Sequence, residues 1–141
     1  MKLCIVYALE TEYLVMCSHE TIAGFHIVGD PVQRVSRSEP VDKLGCAVLE
    51  VLQASKENAP IPTEAKSVPP ALLDAGIKSW KALAKRALSC AITFGPVGVA
   101  ITPQRRDEKG NYFPISEAKS EAEAMAAAVG SGILTALKYA S

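Results

Sequence analysis

The sequence has no net charge. Fifteen basic and fifteen acidic side chains cancel, whereas dedicated nucleic-acid binders carry a basic excess that neutralises phosphates. Direct nucleic-acid binding is therefore not expected. A long apolar run is missing too. The most apolar segment, residues 124–137, has fourteen residues, short of the roughly 20 that span a bilayer. Glu10 and Glu12 interrupt the apolar start MKLCIVYAL before it reaches the length of a signal-peptide core. The chain is expected to be cytoplasmic and away from membranes. No close cysteine pair occurs among Cys4, Cys17, Cys46 and Cys90, and zinc or redox motifs depend on such pairs. Three of the four lie in apolar segments, which reads as reduced core thiols.

The motifs of catalysis are equally scarce. GxSxG and GxGxxG do not occur, and the GPVG of residues 95–98 is not followed by the helix that a phosphate cradle needs. His19 and His26 stand seven residues apart with no further ligands in obvious convergence. No catalytic residue, metal site or cofactor is therefore assigned, and the protein is expected not to be an enzyme. Cys17 and His19 share one face of a strand by alternation, and they carry the alternative reading: a small metal- or ligand-binding domain or enzyme using that neighbourhood. Glu10 and Glu12, two apart at a polar turn, read as a solvated edge rather than an acid–base pair.

What is present is packing. A chain of 141 residues with 49% hydrophobic and 21% charged residues suits one compact domain over residues 1–141. Residues 3–9 alternate as a strand, residues 13–17 follow as a second, and GFHIV as a third, ended by the turn signal Gly29-Asp30-Pro31 and resumed at residues 32–35. After Pro40 the period becomes helical: Leu44, Val48, Val51, Leu52 and Ser55 recur on one face, with Asp42 or Ser38 as cap. Gly45 inside that helix costs about 1 kcal/mol against alanine, which implies that something approaches the helix backbone closely there. Residues 56–70, with Pro60, Pro62, Pro69 and Pro70, read as a flexible loop.

The stretch SWKALAKRALSCAITFGPVGVAITP starts as a helix, with Trp80, Leu83, Ala84, Ala87 and Leu88 on one side and Lys81, Lys85 and Arg86 in solvent. It continues as a hairpin turned at residues 95–98 and stopped at Pro103. Helix and hairpin are expected to share one apolar layer anchored by Trp80. A charged loop over residues 104–111 and a short strand over 112–115 follow. Ser120 and Glu123 form a capping box for a terminal helix carrying Met125, Val129, Ile133 and Leu137, in which Gly130 and Gly132 mark a kink or close packing. The whole predicts an α+β fold: a mainly antiparallel sheet of about four to six strands, covered on one face by about three helices.

Charge is unevenly spread. Residues 1–30 set Lys2 against Glu10, Glu12, Glu20 and Asp30, while residues 61–100 carry five basic and two acidic side chains. Either the two signs lie side by side in the fold, or the first segment presents an acidic face to a basic partner.

Two of these stretches, LGCAVLEVLQAS (residues 44–55) and SWKALAKRALSCAITFGPVGVAITP, resemble a family of immunity proteins from bacterial contact-dependent growth inhibition systems. The matching positions are Leu44, Gly45, Val48, Leu49, Leu52 and Ser55, then Trp80, Leu83, Ile101, Thr102 and Pro103, over roughly residues 40–105. The resemblance implies a cytoplasmic protein that binds and neutralises the C-terminal toxin domain delivered by a sibling cell, in a 1:1 heterodimer. Such toxins are commonly nucleases, often cleaving transfer RNA. Leu44, Gly45, Val48, Leu52, Trp80 and Pro103 are then structural residues. A nuclease presents positive charge, so Glu10, Glu12, Glu20 and Asp30, joined by Asp107 and Glu108, are the expected toxin-binding residues.

Overall fold

Two apolar runs become the centre of a sheet. β1 (Leu3–Ala8) and β2 (Glu12–Glu20) are antiparallel neighbours in the computed structural model, which describes residues 1–62 and 68–141. Both alternating sets of side chains in these strands are apolar. Cys4, Val6, Tyr13, Val15 and Cys17 are buried on one face, and Tyr7, Leu14 and Met16 on the other. Strands buried on both faces require a layer on each side.

β3 (His26–Ser36) flanks β2, and β4 (Leu88–Gly95) flanks β1 on the opposite side, followed by β5 (Gly98–Arg106). Two short strands, β6 (Tyr112–Pro114) and β7 (Ser120–Ala122), both pair with the far edge of β5. The result is a seven-stranded antiparallel sheet in the order β3-β2-β1-β4-β5-β6, with β7 beside β5. Among the described residues four α-helices accompany it: α1 (Val41–Ala54), α2 (Pro70–Asp74), α3 (Trp80–Arg86) and α4 (Ala126–Leu137). The class is α+β as the sequence predicts, with one strand and one helix beyond the expected range.

The helices cover both faces, not one. α1 and α4 pack over Cys4, Val6, Val15, Cys90, Ile92 and Ile101. α2 and α3 contribute Leu72 and Leu83 to a second core with Tyr7, Leu14, Met16 and Ile77. Helix α3 and the hairpin β4–β5 therefore do not share a layer: Leu83 and Ala87 lie on one side of the sheet, Cys90, Ile92, Val99 and Ile101 on the other.

The first layer is held at backbone distance. A Cβ on Gly45 would fall onto the Ala126 carbonyl, and one on Gly130 onto the Val41 carbonyl, so α1 and α4 cross where each lacks a side chain. The close approach expected at Gly45 is thus made by α4. Gly132 faces Ile101 of the sheet, and α4 runs unbroken through both glycines. Ser55 ends the layer: its Oγ donates to the Ser18 carbonyl at 2.5 Å and accepts from the Leu3 N–H at 3.1 Å.

Several local expectations give way to pairing. The Gly29-Asp30-Pro31 signal is not a turn; β3 passes through it, and a register shift opposite Met16 and Cys17 absorbs the extra length as a bulge. Pro103 does not stop β5. Its carbonyl accepts the Ile115 N–H at 2.8 Å, so its missing N–H faces the outer edge and takes no bond from β4. Ser120 caps no helix, because residues 120–122 pair with Val99–Ile101, and α4 starts only at Ala126 without a side-chain cap. Pro40 occupies the α1 cap in place of Asp42 or Ser38, and the Ser38 hydroxyl bonds that of Ser36 at 2.8 Å. Trp80 is half-buried at the margin of the second core. The α3–β4 junction is instead pinned by the Tyr112 hydroxyl, which donates to the Ala87 carbonyl at 2.8 Å. Of the loop expected to be flexible, residues 63–67 lie outside the described residues. On one side of them Ala59 bridges Thr21 of the β2–β3 connection, and on the other Val68 is buried.

Candidate functional site

The catalytic alternative finds its groups already occupied. His19 Nδ1 accepts the Lys56 N–H at 3.0 Å, so Nε2 carries the proton and donates to the Asp30 carbonyl at 2.7 Å. The ring ties together β2, β3 and the segment leaving α1. Cys17 Sγ lies 3.9 Å from Nδ1 and donates to the Val51 carbonyl at 3.5 Å. Burial pushes its thiol up to about 11, and that of Cys90 to about 12. These are thiols, not thiolates ready to bind metal or attack. Among the described residues, no three His, Cys, Asp or Glu side chains converge as a metal site needs. Cys4, Cys17 and Cys90 are buried, Cys46 is exposed, and all are reduced.

The acidic residues fall into separate places. Glu10 and Glu12 stand at the β1–β2 turn, at the end of the sheet where α3 finishes. Glu20 is at the other end of β2, about 25 Å away at strand rise, and Asp30 sits midway along the outer strand β3. Asp107 and Glu108 follow β5 at the same end as Glu10 and Glu12, because β5 runs parallel to β1 through their shared neighbour β4. The six do not form one acidic face.

Most of them are also partnered. Glu12 receives Arg34 through two parallel bonds, Nε to Oε1 at 2.6 Å and Nη2 to Oε2 at 2.9 Å. That guanidinium holds the Glu12 carboxyl below its usual range. Glu10 is lowered by its own backbone N–H and then by Arg86, whose Nη2 lies 3.2 Å away. Glu20 is lowered by the Met1 amino group at 2.6 Å. Asp107 accepts the N–H groups of Asn111 at 2.8 Å and Lys109 at 2.9 Å, which lowers its carboxyl and closes the loop after β5 into a tight turn. The two segments of opposite sign meet at one pair, Arg86 of the basic segment on Glu10 of the acidic one.

The sequence reading missed the groove beside these acids. Lys81 and Lys85, one helical turn apart on α3, form one wall, and the 107–110 turn forms the other, enclosing about 480 Å³. Arg106 crosses between them, Nη1 donating to the Ala84 carbonyl at 2.8 Å and Nε to the Ser141 oxygen at 3.3 Å. Gly110 at φ +84° lets the turn close onto α3, where a Cβ would stand 3.1 Å from that of Ala84. The signal was present in the lysine spacing, but nothing local showed that the turn after β5 would come back against that helix.

This fold is already known in solved structures. A protein of unknown function from Neisseria meningitidis superposes with a TM-score of 0.76 at 16% identity, covering 98% of this chain and 94% of that one. A chain of the CdiA-CT/CdiI toxin and immunity complex from Yersinia pseudotuberculosis superposes with a TM-score of 0.68 at 15% identity, covering 96% and 95%. The chain has the fold of a component of a toxin–immunity complex. That likeness of fold runs over nearly the full length of the chain, beyond the two stretches, residues 44–55 and 79–103, that resemble immunity proteins. No family model and no curated protein matches the chain by sequence. Among the described residues, no helix is long and apolar enough to cross a membrane.

Proposed function

We propose that this protein is an immunity protein that binds and neutralises the cognate C-terminal toxin domain of a contact-dependent growth inhibition system. The observation that carries the reading is the end-to-end fold match to a chain of the Yersinia toxin and immunity complex. The two motif stretches add to it, because their residues are the packing positions of that fold: Leu44, Val48, Leu52 and Ile101 are buried, Gly45 faces α4, and Ser55 joins α1 to β1 and β2. Such a protein acts by surface complementarity and needs no chemistry of its own. A cytoplasmic location, 1:1 stoichiometry and a nuclease toxin of the kind that cleaves transfer RNA complete the proposal.

The toxin-binding surface is proposed at the end of the sheet where the β1–β2 turn, the end of α3 and the turn after β5 meet. Glu10, Glu12, Asp107 and Glu108 stand there. Glu20 and Asp30 would join only if the toxin spans the length of β2. Charge reversal at Glu10 and Glu12 is expected to slow association, as steering charges do. The functional test is co-expression with the C-terminal domain of the adjoining toxin reading frame. Rescue of growth is the expected result; growth arrest with both proteins soluble overturns the assignment.

A further inference from the structure

Basic side chains outnumber acidic ones around the groove between α3 and the turn after β5. Lys81, Lys85, Arg106 and Lys109 line it against Asp107 and Glu108. Both Asp107 oxygens are turned into their own loop, which leaves their charge in place but occupies their lone pairs: Oδ1 accepts from Lys109 N and Asn111 N, and Oδ2 from Asn111 Nδ2 at 3.1 Å. Glu108 is left on the rim. Arg86, the other cation of α3, is directed away to Glu10.

Structural duties account for only part of this charge. Lys85 lies in the last turn of α3, where a cation complements the helix dipole. Lys81 lies in the first turn, where a cation is unfavourable and no acidic residue offsets it. Arg106 is held by the Ala84 and Ser141 oxygens, and its Nη2 has no acceptor among the described residues. The walls are built in advance: Asp107 fixes the turn, Gly110 closes it against Ala84, and Ser79 Oγ caps α3 by accepting from Ala82 N at 3.0 Å. A rigid, cation-lined cleft lowers the ordering cost of holding a carboxylate-bearing segment.

We propose that this groove seats an acidic segment of the protein partner, contacted by Lys81, Lys85, Arg106 and Lys109. A protein segment fits better than a nucleic acid. No aromatic side chain lines the groove for base stacking, Glu108 stands on its rim, and the chain as a whole has no basic excess. The proposal rests on the immunity reading for the identity of that partner, the toxin domain, but not for the chemistry of the groove. The interface would then be of mixed sign, with Glu10 and Glu12 meeting basic toxin residues and the groove receiving acidic ones.

Two arms separate the two readings. In the first, a hexaglutamate peptide is titrated into the full chain and amide shifts are followed by NMR. Shifts confined to α3 and residues 106–110, removed by added salt and by the double variant Lys81→Glu/Lys85→Glu, are expected. Shifts elsewhere, none at all, or a stronger response to a short RNA hairpin or inorganic phosphate at the same residues would overturn the groove proposal. In the second, association of the toxin domain is timed with wild-type and with the double variant, and with Lys81→Gln/Lys85→Gln as a milder companion whose folding is checked by its thermal transition. Association slowed roughly tenfold by the reversal and less by the neutralisation is expected, and an unchanged rate overturns the proposal. If wild-type protein forms no complex with the toxin domain, the immunity reading fails, and the peptide arm alone decides the groove.

Discussion

The two helical layers of this protein are built on opposite terms. On one face, α1 and α4 are fourteen and twelve residues long and touch backbone to backbone at Gly45 and Gly130. On the other, α2 and α3 are five and seven residues long, and the charged side chains of α3 reach outward to Glu10 and around a groove. The first layer uses its surface for packing. The second covers its share of the sheet with Leu72, Ile77 and Leu83 and leaves its charged side chains around an open groove. One sheet can thus be covered on one face by helices in backbone-to-backbone contact and on the other by short helices that leave their charged side chains exposed.

The comparison breaks most visibly at Gly45. Gly45→Ala drives a methyl into the Ala126 carbonyl, and since that atom is backbone, α4 must shift. A loss of about 3 kcal/mol or more is expected by urea denaturation, at or above the upper end for overpacked cores. Ser55→Ala comes next. It removes the acceptor of the Leu3 N–H and the donor to the Ser18 carbonyl in a buried setting, which should cost about 1–3 kcal/mol. In the second layer Trp80→Ala should cost less, about 2 kcal/mol. Truncating a fully buried tryptophan costs about 3–5 kcal/mol, and this one is half-exposed. A loss equal to that of Gly45→Ala would erase the contrast between the layers.

The smallest effects are electrostatic. Glu12→Gln removes a bidentate but partly exposed ion pair with Arg34 and should cost about 0.5–1 kcal/mol. Because the Glu12 carboxyl is lowered in the folded protein, the pair's contribution is present above the ordinary carboxylate range and lost as pH falls through the folded value. The wild type should therefore lose more stability than Glu12→Gln on acidification below about pH 4.5. At the alkaline end the sign reverses. Cys17 and Cys90 keep their protons to about 11 and about 12 when folded, while unfolded thiols lose theirs near 9. Stability should fall as pH rises above that value, and Cys90→Ala should flatten the decline even as its cavity lowers stability at neutral pH.

Much of the first layer was legible in the sequence because its signals are local and mutually consistent. The helical spacing of Leu44, Val48 and Leu52 read directly into α1, and its interior glycine marked a close neighbour that the fold supplies as α4. The second layer was not legible for a physical reason. Leu14 and Met16 alternate with Val15 and Cys17 as apolar residues on both faces, and that continuous run, rather than the alternation itself, was the signal for a second cover. Local cues also lost to pairing with neighbours far along the chain: the capping box at Ser120 became β7, and the turn signal at Asp30-Pro31 became a bulge in β3. The acidic residues were correctly seen as abundant in the first thirty positions. Their separation along β2 and their capture by Arg34 and Arg86 depend on the folded register, as does the groove that joins Lys81 and Lys85 to the turn after β5.

Hydrogen exchange of the protein alone and mixed with the toxin domain proposed as its partner is the decisive measurement. New protection over residues 81–86 and 105–111 and around Glu10 and Glu12 is expected, with the amides of α1 and α4 unchanged. Protection confined to the outer surfaces of α1 and α4 would contradict the division between a packing layer and a recognition layer, and no protection anywhere, with both proteins folded, would contradict the immunity function itself.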